Sequence, residues 1–228
     1  MRTIAVSINK GGMGKTTLTK SIAAAAAKAG LMVLVLDMDT QQNATNWGAR
    51  RAAKQKKLKL PLANFVTENG LESELARAEA AGCDLVVIDT PPGRSAEAPA
   101  AIEAADMVIM PFWNDQDAYD GLVKTAALAR RLGKPAYGVL NHCIPNSRQH
   151  EDTARDVLEH HAVQMAPVVL HRYDVHRLAS VQGLTAQEME PDSKAAGEIE
   201  QLWKWISAVV QVGNSAHVHK TKKTKVAS

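Results

Sequence analysis

Eight residues near the amino terminus have the composition of a loop that binds phosphate. Lys10-Gly11-Gly12-Met13-Gly14-Lys15-Thr16-Thr17 lies between an apolar, β-branched run and an alanine-rich segment. Glycines allow several backbone N–H groups to face one anion, and the first turn of a following helix adds its positive end. In such a loop Lys15 reaches the β- and γ-phosphates, and the Thr16 hydroxyl binds Mg²⁺. The segment therefore predicts a nucleotide site in a strand–loop–helix unit.

Three carboxylates follow apolar runs and are candidates for metal binding and water activation. Asp37 and Asp39 stand two residues apart after one run, and Asp89 ends another, followed by Thr-Pro-Pro-Gly. Ligands of parallel sheets collect at the carboxyl ends of the strands, so these side chains are expected at one edge. Carboxylates there suit Mg²⁺ and a triphosphate, because the cation offsets their mutual repulsion.

Continuous apolar runs alternate with helical patterns along the chain. We predict strands at Thr3–Ile8, Leu31–Leu36, Leu85–Ile88, Met107–Met110 and Ala136–Leu140, with a sixth at Val168–Leu170. Helices are expected at Thr16–Ala29, Leu71–Ala81, Ala96–Ala105, Tyr119–Arg131 and Glu151–His161. Strands without apolar–polar alternation are buried on both sides. The pattern indicates an α/β fold, a mostly parallel sheet with helices on both faces.

The net charge of +3 conceals an uneven distribution. Residues 50–59 carry six cations and residues 213–228 carry four, with no acid in either segment, which leaves −7 for the remainder. Clustered cations neutralise nucleic-acid phosphates without reading sequence, but a solvated helix face and a disordered tail explain them equally well. We expect one domain over residues 1–212 and a basic, disordered tail over 213–228. Two cysteines and the start of the chain favour a cytoplasmic protein.

At the level of motifs the chain resembles the ParA/MinD ATPases. The phosphate loop matches their deviant Walker A motif, with Lys10 as its additional signature lysine. The resemblance continues through residues 33–45, the Walker B strand and turn at 85–93, and a block from Arg172 to about residue 210. It is greatest to short, ParF-like ParA proteins of plasmid partition. Asn9 and Thr40 depart from the usual glycine and proline.

The resemblance implies roles for individual residues. Lys10 would reach the phosphates of the partner in an ATP-bound homodimer, Asp39 would orient the attacking water, and Asp37 would support the Mg²⁺ shell with Asp89 and Thr16. Asn141 would contact adenine, although a strand-end turn explains it nearly as well. Basic residues are the candidates for DNA contact: Arg172 and Arg177 by resemblance, and Arg50, Arg51, Lys54, Lys220, Lys222 and Lys223 by charge alone.

These features predict a weakly active ATPase, dependent on ATP and Mg²⁺, that partitions DNA. The implied partners are non-specific DNA on the bacterial nucleoid and a ParB-type centromere-binding protein that stimulates hydrolysis. The first alternative is a MinD-like membrane-surface ATPase, and the second is a small-molecule enzyme on the same fold. The apolar pattern from Ile199 to Val210 favours a packed final helix over membrane targeting, with Trp205 as the exposed exception. Histidine and cysteine spacings match no zinc or iron–sulfur motif.

Overall fold

The computed structural model describes residues 1–54, 61–93, 95–144 and 148–212. The strands are β1 (Arg2–Val6), β2 (Val33–Asp37), β3 (Leu62–Phe65), β4 (Leu85–Asp89), β5 (Met107–Phe112), β6 (Ala136–Leu140) and β7 (Gln164–Met165). The helices are α1 (Lys15–Lys28), α2 (Asn43–Lys54), α3 (Leu71–Ala80), α4 (Glu97–Ala104), α5 (Gln116–Arg131), α6 (Arg148–His160), α7 (Val175–Val181), α8 (Ala186–Met189) and α9 (Lys194–Val210).

The seven strands form one parallel sheet in the order β3-β2-β4-β1-β5-β6-β7. Strand β4 lies between β1 and β2, so the ends of these three strands meet at the centre of one sheet edge. In the pairing of β2 with β4, Asp37 is in register with Asp89. The topology therefore collects the phosphate loop and the carboxylates in one place.

Apolar side chains leave the sheet alternately to two cores. From β1, Ile4 and Val6 enter a core with α1 and α9, whereas Ala5 faces a second core with α3, α4, α5 and α6. Both faces of the sheet are thus covered, which explains the continuous apolar runs in the strands. The predicted fold class is confirmed.

The predicted strands and helices agree with the structure apart from two kinds of error. Residues 168–170 form no strand, although Leu170 donates its N–H to the Leu140 carbonyl; the last strand is Gln164–Met165 instead. Strand β3 and helices α2, α7 and α8 were not predicted. These elements are short or poor in apolar residues, so their patterns are weak.

Helix α9 packs into the core, as its apolar spacing predicts. Ile199, Leu202 and Ile206 are buried against the sheet and α1. Trp205, expected to be exposed, is partly buried with its ring edge-on to Tyr137, the centroids 5.0 Å apart. No helix among the described residues is long and apolar enough to span a membrane. The basic segment at residues 213–228 lies outside the described residues.

Candidate nucleotide site

The phosphate loop connects β1 to α1 at the central sheet edge. Gly12 and Gly14 have φ of 79° and 87°, a left-handed conformation that glycine adopts without strain. Leu18 donates the first helical hydrogen bond to the Gly14 carbonyl, so the N–H groups of residues 15–17 precede the hydrogen-bonded part of α1. Met13 is buried and fastens the loop to the core. The loop has the geometry of an anion site at a helix N-terminus.

Lys15 places a cation inside this loop. Its side chain is buried and its ammonium donates to the Lys10 carbonyl at 3.1 Å. Burial lowers the pKa of Lys15, while the charges of Asp89 and Asp39 raise it in part. An incoming phosphate would supply the anion that this buried cation requires.

Asp89 ends β4 with both oxygens inside the protein. The Thr19 hydroxyl donates to Oδ1 at 3.2 Å, whereas Oδ2 is buried without a hydrogen-bond partner among the described residues. Burial raises the pKa of Asp89 to about 7, helped by the charge of Asp37, while the nearby hydroxyls of Thr16 and Thr19 and the charge of Lys15 lower it. An unsatisfied carboxylate oxygen beside the Thr16 hydroxyl fits a hydrated Mg²⁺ ion.

Asp37 forms three hydrogen bonds with the main chain. Its Oδ1 accepts the N–H of Asp39 at 3.1 Å, and its Oδ2 accepts those of Ala44 and Thr45 at 2.9 and 2.8 Å. Because main-chain donors engage both oxygens, Asp37 anchors the first turn of α2. Support of the Mg²⁺ shell by Asp37 stays a prediction, and the structure adds an anchoring role for this residue.

Asp39 lies on the turn that this anchor holds. Its side chain is half-buried and its Oδ1 accepts the N–H of Gln41 at 2.9 Å. Its negative charge acts on Lys15, which places the carboxylate within electrostatic range of the phosphate loop. This position suits a group that orients water toward a bound phosphate.

The Lys10 side chain points toward α5. Its ammonium lies 2.6 Å from the Asp117 carboxylate, and this pairing raises the pKa of Lys10 and lowers that of Asp117. Asp117 was not predicted as a functional residue, because nothing in the sequence relates it to a loop 107 residues away. In the isolated chain the ammonium groups of the two lysines therefore have different partners: that of Lys10 pairs with Asp117, and that of Lys15 donates to the Lys10 carbonyl.

Asn141 supports the loop from the end of β6. Its amide donates to the Met13 carbonyl at 2.9 Å, and a Cβ on Gly14 would lie only 2.5 Å from its Nδ2. Asn141 also lines a pocket of about 690 Å³ beside the loop, together with Gly12, Thr17 and His142. A pocket of this size next to a phosphate loop can hold a nucleoside, and adenine contact by Asn141 stays a prediction.

Three arginines from distant parts of the chain border the same pocket. Arg50 of α2, Arg172 and Arg177 of α7 all line it, and all three are exposed. The Arg50 guanidinium donates to the Ser180 carbonyl at 3.3 Å, which joins α2 to α7. These residues form a cationic rim, the name used below for Arg50, Arg172 and Arg177.

Arg51 does not belong to that rim. Its side chain is 3% exposed and forms an ion pair with Glu188 at 2.5 Å, so the expected DNA contact is wrong for this residue. The side chain of Lys54, and Lys220, Lys222 and Lys223, lie outside what the structure describes.

Two further residues near the site were missed. Thr19 and the buried Lys20 follow Lys15 by four and five positions on α1, a helical spacing that could have indicated Thr19. The Lys20 ammonium donates to the Ser180 hydroxyl at 3.3 Å, and burial lowers its pKa to about 8. Lys20 thus joins the phosphate-loop helix to α7.

Comparisons with known proteins agree with this geometry. The family described as the CobQ/CobB/MinD/ParA nucleotide binding domain matches residues 4–204. The chain is 31% identical over 214 residues to the Maintenance of carboxysome distribution protein A of Gloeobacter kilaueensis, covering 89% of this chain and 96% of that protein. It is 34% identical over 146 residues to the chromosome-partitioning ATPase Soj of Thermus thermophilus, covering 54% and 59% of the two chains.

A solved structure with a bound nucleotide has the same fold. The septum site-determining protein MinD of Pyrococcus horikoshii, complexed with Mg-ADP, superposes with a TM-score of 0.72 at 18% identity, over 91% of this chain and 96% of that one. At this level of identity the likeness concerns the fold, and the residue-level geometry above comes from the present structure.

Proposed function

Since the chain belongs to the CobQ/CobB/MinD/ParA nucleotide-binding family and is an ATPase of its positioning and partition branch, we propose that it partitions DNA. In this proposal an ATP-bound homodimer binds DNA without sequence specificity on the nucleoid. A ParB-type centromere-binding protein stimulates hydrolysis and releases the dimer.

The observation that carries the proposal is the cationic rim beside the phosphate loop. Arg50, Arg172 and Arg177 come from separate elements, yet they surround one pocket that reaches Gly12 and Thr17 of the loop. Exposed guanidinium groups bind phosphodiesters by charge and hydrogen bonding, without reading bases. Because these arginines lie next to the nucleotide site, bound ATP can influence their contact with DNA directly.

The nucleotide chemistry is divided among named residues. Backbone N–H groups of Gly11–Thr17 and the Lys15 ammonium hold the phosphates, while Thr16 and Asp89 hold Mg²⁺, which when bound neutralises the phosphate charge. Asp39 orients water, and Asp37 keeps the Asp39 turn in place through its three main-chain hydrogen bonds. Lys10 supplies a second cation to the phosphates of the partner subunit.

Hydrolysis with this set of groups is expected to be slow. Asp39 is half-buried and already accepts a hydrogen bond from the Gln41 N–H, which lowers its strength as a base toward water. A slow intrinsic rate suits a switch, since the ATP-bound state must last until the partner protein acts.

The test is DNA binding by the full chain, measured by fluorescence anisotropy with ATP, with ADP and at two salt concentrations. The chain should bind DNA in the presence of ATP and not in the presence of ADP. Its affinity for DNA should fall steeply as the salt concentration rises, as phosphate contacts require. The Arg172→Ala/Arg177→Ala variant should bind at least about tenfold more weakly, since each phosphate contact contributes to affinity.

The matched control is Arg131→Ala, which removes an exposed arginine from α5, on the other face of the sheet. It should bind DNA like the unmodified chain. DNA binding that is insensitive to nucleotide, or ATP-dependent pelleting with anionic liposomes in place of DNA binding, would contradict the proposal.

A further inference from the structure

The first residues of α2 are hydrogen-bonded, through Asp37, to the turn that carries Asp39. The single carboxylate of Asp37 accepts N–H groups from Asp39, on the turn, and from Ala44 and Thr45, on α2. The turn is closed by Gln42, which has a φ of 53° and donates to the Asp39 carbonyl at 2.8 Å. The backbone at Asp39 therefore moves with α2.

The far end of α2 carries a buried ion pair between Arg51 and Glu188. The Arg51 guanidinium donates to both oxygens of Glu188, at 2.8 and 2.5 Å, and to the Gly183 carbonyl at 3.3 Å. It also lies over the Trp47 ring, 5.4 Å from the centroid, and the Trp47 indole donates to the Leu184 carbonyl at 3.1 Å. We call this arrangement the Arg51–Glu188 clasp.

The receiving side of the clasp is itself rigid. Glu188 accepts the N–H and the hydroxyl of Thr185, both at 2.9 Å, in a capping box that starts α8. Gly183 has a φ of 74°, and a Cβ there would lie 2.5 Å from the backbone nitrogen of Arg51. The two backbones therefore touch, and the clasp allows little sliding of α2 along this surface.

A buried ion pair is a poor source of stability, because desolvation offsets most of the attraction; apolar side chains of similar size often serve as well. What a bidentate guanidinium–carboxylate pair supplies is a defined geometry. From Asn43 to Arg51 the helix rises about 12 Å, so a small change of angle at the clasp displaces the Asp39 turn.

We propose that the Arg51–Glu188 clasp positions Asp39 for ATP hydrolysis by fixing the angle of α2. Arg51 and Glu188 are positioning residues, and the inference rests on the proposed role of Asp39. Without the clasp, Asp37 still joins the turn to α2, but both move together against the sheet. The expected defect is one of rate and not of nucleotide binding.

The experiment measures kcat and KM for ATP with Mg²⁺ on the full-length chain, with folding checked by circular dichroism. Arg51→Met and Glu188→Gln should lower kcat at least about tenfold with KM changed less than about twofold, since small misplacements near reacting groups are costly in rate. Arg51→Lys keeps the positive charge but cannot donate to both Glu188 oxygens as the guanidinium does. Its kcat should lie between those of these variants and that of the unmodified chain.

The matched control is Lys28→Met, which breaks an ion pair of the same length, 2.5 Å, between α1 and α9 at the surface. It should leave both kinetic parameters unchanged. If Arg51→Met does not fold, Glu188→Gln and Arg51→Lys decide the question.

Two results would overturn the inference: folded clasp variants with an unchanged kcat, or a parallel loss of kcat and ATP affinity, which indicates general loosening. Asp39→Asn separates the two hypotheses. If Asp39→Asn hydrolyses ATP normally, the proposed role of Asp39 is refuted. If Asp39→Asn is inactive while the clasp variants hydrolyse ATP normally, only the positioning role of the clasp is refuted.

Discussion

The Lys10 ammonium and the Asp117 carboxylate lie 2.6 Å apart and join the start of the phosphate loop to the first turn of α5. In the proposed dimer the same ammonium would contact the phosphates of the partner. The ion pair therefore competes with the contact between subunits, and an isolated chain holds its signature lysine on its own surface.

Asp117→Asn should favour the ATP-bound dimer. Asp117 is 74% exposed, so the pair is screened by solvent and its loss should raise the dimerisation constant only about two- to fivefold. Sedimentation velocity with a non-hydrolysable ATP analogue measures this change. Lys10→Ala should act in the opposite direction and abolish the dimer; a normal dimer in that variant would exclude the lysine from the interface.

Gly14→Ala should lose nucleotide binding for a steric reason as well as a conformational one. The added Cβ would meet Asn141 at 2.5 Å and would sit at a φ of 87°. We expect about 1–3 kcal/mol of destabilisation from the strain and loss of ATP binding in calorimetry. Gly30→Ala is the control, because Gly30 has a φ of 90° but open space around it, and this variant should bind ATP normally.

Asp37→Ala should destabilise the protein more than removal of the half-buried Asp84 carboxylate does. The change leaves two buried or half-buried N–H groups of α2 and that of Asp39 without their acceptor, at a cost of about 2–3 kcal/mol in urea unfolding. Asp84→Ala, which removes an acceptor for the exposed Met32 N–H, should cost about 1 kcal/mol or less. Equal losses would argue against the anchoring role of Asp37.

Asp89 should make stability depend on pH in the absence of Mg²⁺. Its pKa rises from 3.8 to about 7 on folding, so the folded chain binds more protons than the unfolded chain between these values. Unfolding free energy should therefore fall as pH increases from about 4 to 7, by at most about 1.4 kcal/mol per unit, and level off above that range.

Urea unfolding with EDTA, compared between the unmodified chain and Asp89→Asn, isolates this contribution from other titrating groups. The stability difference between the two should shift in favour of Asp89→Asn as the pH rises. A difference that does not vary with pH would show that Asp89 titrates normally.

The order of residues along the chain was sufficient to predict a phosphate loop and the carboxylates at the ends of β2 and β4. These features are local: glycine spacing, an adjacent helix and an acid at the end of an apolar run each have a direct physical meaning. The same locality explains the correct prediction of α1, α9 and five strands. It failed for β3, α2, α7 and α8, which are short or lack a clear apolar period.

Tertiary structure alone decided which distant residues meet. Asp117 reaches Lys10, Glu188 reaches Arg51, and Asn141 fills the space beside Gly14, because β4 inserts between β1 and β2 and the later strands extend the other side. Arg50 and Arg51 are consecutive cations on α2, yet Arg50 lies on the exposed rim and Arg51 in the buried clasp. Adjacent residues of a helix point about 100° apart, which separates the two side chains. Sequence determined the chemistry that is present, and the packing of the sheet and helices determined where each group acts.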